Sequence, residues 1–177
     1  MVGTITVQNL QGPSSGANAN KVIIPSGHTL DVSGGTLVPS AGHVIQGVQG
    51  TGQSSSGSVS TQTWTATGVK VVITPTSTSS KIYVSGWMHV YKGSGIHYLS
   101  DVFRNGTQLA GGFGNGGSDN DSGSAHYDAP FMWIDSPNTT SPVTYEFYIR
   151  GRDASFTLYI NDGGSYRSNI TAMEIAG

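Results

Sequence analysis

The predicted fold class is all-β: a short, β-rich, intertwined N-terminal stem plus a C-terminal antiparallel β-sandwich (jelly-roll-like) head, the whole homotrimeric. Three observations predict it. All sixteen aromatic residues lie between Trp64 and Tyr166, so residues 1–63 lack the large side chains that dominate globular cores. No stretch carries a 3.6-residue apolar period long enough for a helix. From about Ser58 onward, short alternating runs are separated by Gly-, Pro-, Asn- and Ser-rich turns, the pattern of a sandwich or jelly roll.

Composition narrows the function classes. A chain of 177 residues holds one domain, or a domain with an appendage. Charged residues make up only 10% of it, against roughly 25% in ordinary soluble domains. Net charge is −2, and the eight Lys and Arg residues are scattered singly. That leaves no basic patch to neutralise phosphates, so no nucleic-acid partner is expected. Apolar runs of a few residues fall far short of the roughly 20 needed to span a bilayer, so no membrane insertion is expected. No charged region followed by an apolar one opens the chain, so no secretory leader is expected. The absence of cysteine removes disulfides and thiolate metal sites. Durability outside a cell must then come from elsewhere, and oligomerisation is the obvious route.

Residues 1–20, an attachment segment only on the resemblance given below, begin with a short strand over Thr4–Leu10 whose Ile5 and Val7 share a face. Residues 11–20 form an irregular connector. Residues 21–57 read as the stem and its linker. A small repeat marks it: Ile24-Pro25-Ser26-Gly27-His28-Thr29-Leu30 is echoed by Val38-Pro39-Ser40-Ala41-Gly42-His43-Val44-Ile45. Units this short cannot bury a face alone and need stacked neighbours or identical chains. Three chains around one axis satisfy that need, with Val22, Ile24, Leu30, Val32, Leu37 and Val44 as the stem contacts. Residues 50–58 are a second connector.

Residues 58–177 are the head. Strands are predicted over Ser60–Thr67, Val69–Thr74, Lys81–Tyr91, Ile96–Arg104, Thr107–Phe113, Ala129–Ile134, Val143–Arg150, Phe156–Ile160 and Ser168–Ile175. The strongest turn is Asn105-Gly106 between two alternating runs. Both central positions of a type I′ turn need positive φ, which Asn and Gly tolerate. Residues 135–142 and 161–164 supply further turns. The expected core is Val71, Ile73, Ile82, Val84, Trp87, Leu99, Val102, Phe131, Trp133, Tyr145, Phe147, Ile170 and Met173. Trp64, at the stem–head junction, is a candidate contact between chains.

Little in the chain suggests catalysis. Only two Glu exist, Glu146 and Glu174, both in predicted strands, and no pair of carboxyls has glycosidase spacing. No Gly-x-Ser-x-Gly elbow is present. No enzyme activity, cofactor or metal is expected. The polar loop 114–128 on a rigid scaffold is where binding residues concentrate, and it makes Asp119, Asn120, Asp121, His126 and Tyr127 the candidate ligand-binding set. Residues 119–123 superficially resemble a calcium loop, but Gly123 falls at the fifth position and Pro130 at the twelfth, which breaks the EF-hand pattern. A solvated loop is the expectation, with an irregular calcium site as the alternative. His28 and His43 recur in the repeat and read as exposed turn histidines; the alternative is a metal held on a trimer axis.

Several phrases carry a family resemblance. Residues 17–32 (Ala17 to Val32), the run Phe103-Arg104-Asn105-Gly106-Thr107, residues 130–137 (Pro130 to Pro137) and residues 170–175 (Ile170 to Ile175) are similar to fibre and appendage proteins of bacteriophage virions. The similarity is greatest to those of marine phages that infect cyanobacteria. The resemblance implies a homotrimer on the surface of the virion, attached to another virion protein through its N-terminus, with an outward-facing head. The chain departs from long tail fibres in lacking an extended shaft and a chaperone-like tail. The function this implies is adhesion to a host-surface polysaccharide through head loops. The alternative is a purely structural capsid-decoration or tail-assembly component, and a depolymerase is a third class.

Overall fold

The computed structural model describes residues 10–19, 21–31, 39–52, 57–60, 62–93, 97–109, 115–117, 125–152, 157–161 and 166–177. The chain divides into two units, Met1–Val38 and Pro39–Gly177. In the first, the described residues form turns and no strand. Ala19 N–H donates to Gly16 O, and His28 N–H to Pro25 O. Val22, Ile24 and Leu30 are exposed in this unit; Val32, Leu37 and residues 4–9 lie outside the described residues.

The second unit is all-β, built of two antiparallel sheets. The larger holds β1 (Val44–Gln49), β11 (Asn169–Ile175), β4 (Lys81–Lys92), β10 (Leu158–Ile160) and β2 (Gly57–Val59) in that order, with β8 (Ala125–Asp135) on the other edge of β4. The smaller has the order β3 (Thr65–Ile73), β9 (Val143–Gly151), β5 (Tyr98–Arg104) and β6 (Thr107–Gln108), with β7 (Asn115–Gly117) also on β5. The second unit, which begins at Pro39, thus includes residues before 58. Residues expected in the stem and connector supply β1 and β2 to the head. Val44, expected as a stem contact, lies opposite Ile175 of β11.

Period-2 patterning explains the layers. β9 alternates buried and half-buried along its whole length, as a strand with one face on a core must. Its Val143, Tyr145, Phe147 and Ile149 meet Ile82, Val84, Met88 and Val90 of β4 in a single cluster. Phe131 and Phe147 touch edge to face, centroids 6.1 Å apart. Burial of each such side chain contributes about 1.5–3 kcal/mol.

Two sequence expectations merge at Gly68. The predicted strands on either side of it are one strand, β3, with a register shift between Ala66 and Lys70 opposite β9. Gly68 has φ +79°, so the strand continues through a bulge that glycine makes accessible. Glu146 Oε1 accepts the Gly68 N–H at 2.9 Å. The Asn105-Gly106 turn forms as expected, with φ 47° and 81° between paired Arg104 and Thr107.

Trp87, Trp133 and Met173 are not core residues. They are 42%, 41% and 37% exposed, and Leu99 is only half-buried. Trp87 and Met173 fall on the outer side of the larger sheet, because antiparallel partners share a face and they pair with Asn169 and Tyr83. Trp64 packs within the chain on the outside of the smaller sheet, edge-on to Phe103 at 5.5 Å and under the Arg150 guanidinium at 5.1 Å.

Candidate functional site

Alternation along β4 sends Ile82, Val84, Met88 and Val90 into the core and leaves Tyr83, Ser85, Trp87, His89 and Tyr91 on the opposite face. Strand β8 runs antiparallel to β4 along one edge, placing Asp128 opposite His89 and His126 opposite Tyr91. The other edge is shared. β11 covers Lys81–Trp87 and β10 covers Val90–Lys92, so His89 lies where one edge partner gives way to the other.

Hydrogen bonds pin this junction. Asn161 N–H donates to His89 O at 3.2 Å, and His89 N–H donates to Ser168 Oγ at 3.1 Å. Ser168 Oγ–H closes the ring by donating to Asn161 Oδ1 at 2.7 Å. Asn161 holds φ 54°, a left-handed conformation that Asn tolerates better than most residues. Beside it, Trp87 Nε1–H donates to Arg167 O at 2.9 Å.

The pinned segment carries Tyr166 onto His89. Their ring centroids are 3.9 Å apart with planes 5° from parallel. His126 stacks on both, 4.7 Å from Tyr166 and 5.3 Å from His89. Tyr91 lies 4.7 Å from His126 and 5.8 Å from Tyr159. His89 is 5% exposed while Tyr159 and Tyr166 are 38% and 40% exposed, so a buried imidazole supports a platform of accessible rings.

Hydrogen bonds order the imidazoles. His89 Nδ1 is 2.9 Å from Asp128 Oδ1, and its Nε2 is 3.1 Å from His126 Nδ1. A carboxylate only accepts, so Nδ1 of His89 carries the hydrogen. In neutral His89 the Nε2 then accepts from His126 Nδ1–H, leaving His126 Nε2 as a further acceptor. Among the described residues no trio of His, Asp or Glu has metal-binding geometry.

The groups with shifted values lie elsewhere and hold the fold. Burial, then the hydrogen bond to Asp135, push the Tyr145 hydroxyl far above its ordinary value. Burial raises Asp101 against opposing hydrogen bonds from Gln108 and Val102 N–H. Burial also acts to raise Glu174, but hydrogen bonds from Gln46, Ser80 and Thr76 outweigh it and hold the carboxyl below its usual value.

Of the candidate set, Asp119, Asn120 and Asp121 lie outside the described residues. His126 and Tyr127 are in strand β8 rather than a loop, and as strand neighbours they point to opposite faces. Only His126 joins the ring cluster; Tyr127 lies opposite Val90, its ring 5.5 Å from Lys92 Nζ. His43 Nδ1 is bound to Ser40 O at 2.9 Å. Sequence reasoning missed His89, Tyr91, Tyr159 and Tyr166. A signal for the first two was present in the alternate-position series Tyr83, Trp87, His89 and Tyr91.

No family model matches the chain, and no curated protein matches it. Among solved structures it is similar to a chain of infectious bursal disease virus Gt strain, at 15% identity and TM-score 0.41, over 87% of this chain and 43% of that one. It is also similar to a mutant VP2 protein of that virus in derived particles, at 15% identity and TM-score 0.41, over 93% of this chain and 44% of that one. The chain spans less than half the length of either. A likeness at this level carries no argument about family or function.

Proposed function

We propose that this chain is a structural component of a phage virion, a short appendage whose β-sandwich binds a host-surface polysaccharide on the outer face of its larger sheet. The single observation that carries the binding reading is the ring platform: Tyr166 stacked on buried His89, beside His126, Tyr91 and Tyr159. Sugar rings offer C–H faces to aromatic rings and hydroxyls to polar side chains. This platform supplies both, with an Asp128 side chain that is 67% exposed and the acceptor nitrogen of His126. The sequence resemblance to phage fibre and appendage proteins supports placement on the particle surface. It also supports trimer formation and docking of the N-terminal segment on another virion protein. Three heads per appendage would multiply a weak site through avidity.

The test is retention of the purified full chain on immobilised host envelope polysaccharide. Wild type should be retained, and Tyr166→Ala and Tyr159→Ala should elute early while keeping the wild-type melting curve. Equal retention of all three would remove the platform from the account.

A second reading has its own observation. The same sheet face carries Met132, Ile134 and Met173, exposed by 71%, 56% and 37%, and exposed aliphatic groups favour contact with another virion component. A purely structural role predicts that the purified wild-type chain is not retained on the polysaccharide and that particles made without the protein assemble poorly.

A further inference from the structure

Next to the platform, the outer face of the larger sheet dips into a cleft of about 630 Å³. Its construction follows from register. One cross-strand row is Asn169, Trp87 and Pro130; the next is Thr171, Ser85 and Met132. Short Ser85 and Thr171 side chains form the floor, with Trp87 and Tyr83 rising two residues to either side along β4. Rings at those positions stand about 13 Å apart along the strand, room for one sugar ring between them.

Resting on the saccharide reading above, we propose that this cleft is a second sugar subsite. In it the apolar face of a pyranose lies on the Trp87 indole, and the Asn169 amide turns about χ2 to accept from a sugar hydroxyl. Trp87 is 42% exposed, yet its only polar atom is already committed to Arg167 O at 2.9 Å. That bond fixes the indole and leaves ring surface for a ligand. Asn169 lines the cleft, and its buried Oδ1 has no hydrogen-bond partner among the described residues. A buried carbonyl oxygen calls for a donor, which a hydroxylated ligand has and an aliphatic one lacks. The floor hydroxyls of Ser85 and Thr171 add partners of either sense. Pro130 and Met132 supply the apolar wall that a sugar's C–H face accepts. The volume lies within the range of small-ligand sites. Trp87 and His89 occupy alternate positions of one strand, so the cleft and the platform form one continuous track. The ligand is then a segment of an oligosaccharide rather than a single terminal sugar.

The test is titration of the full chain with cello-, malto-, manno- and N-acetylchito-oligosaccharides, followed by tryptophan fluorescence and calorimetry. At least one series should bind, with affinity rising from the monosaccharide to the longer members. Trp87→Ala and Asn169→Leu should each weaken it by about tenfold or more, while Asn169→Asp, which keeps an acceptor, should retain more binding than Asn169→Leu. Trp87→Phe serves if Trp87→Ala does not fold. Unchanged binding in Trp87→Ala and Asn169→Leu, with loss in Tyr166→Ala, would overturn the second subsite and leave the platform standing. Absence of binding to any series and to host polysaccharide would overturn both.

Discussion

Tyr145 donates its phenolic hydrogen to Asp135 at 2.7 Å, tying the central strand of the smaller sheet to the end of β8 in the larger. The same carboxylate accepts from Arg104 Nη1 at 3.0 and 2.9 Å. Asp135 is 8% exposed, so its charge depends on these two partners.

The two partners should differ in what their loss costs. Tyr145→Phe leaves Asp135 with Arg104 and should destabilise by about 1.5–2 kcal/mol, the lower part of the range for a hydrogen bond to a charged group. Arg104→Met leaves a nearly buried carboxylate without its counter-charge and should cost about 3 kcal/mol. That is the low end for a broken buried pair, because the Arg104 side chain is 31% exposed. Urea denaturation of the single and double variants gives both values and their coupling. A larger loss in Tyr145→Phe than in Arg104→Met would contradict this ordering.

Two glycines test backbone geometry separately from packing. A Cβ at Gly68 meets nothing within 4 Å, so Gly68→Ala should cost only the positive-φ penalty of about 1–2 kcal/mol. A Cβ at Gly86 would run into the backbone of Asn169 and Ile170, where β4 and β11 pair. Gly86→Ala should therefore cost about 3 kcal/mol, the upper range for overpacking. Thermal melts of both variants should rank them in that order.

What the sequence made legible follows the range of the interactions. The Asn105-Gly106 hairpin depends on the conformations of two adjacent residues, and those residues announce it. Its docking does not: Asn105 N–H donates to Thr144 O and Asn105 Oδ1 accepts from Thr144 N–H, each at 2.9 Å, across 39 residues. Alternation found β9 and the buried half of β4, because a half-buried strand must repeat every second residue. It misplaced Trp87 and Met173, since an apolar side chain reads the same on either face. The site was hidden for a topological reason. His89 meets Tyr166 only because β10 and β11 share one edge of β4, and nothing local in residues 161–168 encodes that.

Glu174 should set part of the acid limb of stability. Its side chain is fully buried, yet it accepts from Gln46 Nε2 at 2.6 Å, Thr76 N–H at 2.6 Å and Thr76 Oγ1 at 2.8 Å. The folded-state value lies below the usual 4.5, so between the two values the unfolded chain binds more protons. The contribution is present above the unfolded value and is lost as pH falls through the folded one. Asp101, raised by burial, acts with the opposite sign, its folded form gaining relative stability as pH falls. Urea melts across pH 7 to 3 should show a shallower acid loss for Glu174→Gln than for wild type. Parallel curves would show that the carboxylate contributes nothing to the limb.

The pin beneath the ring platform should be separable from the rest of the fold. Ser168 is 5% exposed, and its hydroxyl both accepts from His89 N–H and donates to Asn161 Oδ1. Ser168→Ala removes both bonds and leaves a buried donor and a buried acceptor short of a partner, at a cost of about 1–3 kcal/mol. Asn161→Gly keeps the positive φ but loses the side-chain acceptor, so it should cost less. Both should loosen Tyr166 from His89, because the segment bearing Tyr166 is fastened at these two residues. Amide hydrogen exchange at His89 and the ring-current shifts of the His89 imidazole protons report that loosening directly. Ser168→Ala should speed exchange at His89 and move those resonances towards their unstacked positions, while the amides of β9 keep their protection. Unchanged His89 resonances in Ser168→Ala would mean that the stack holds the segment in place rather than the pin.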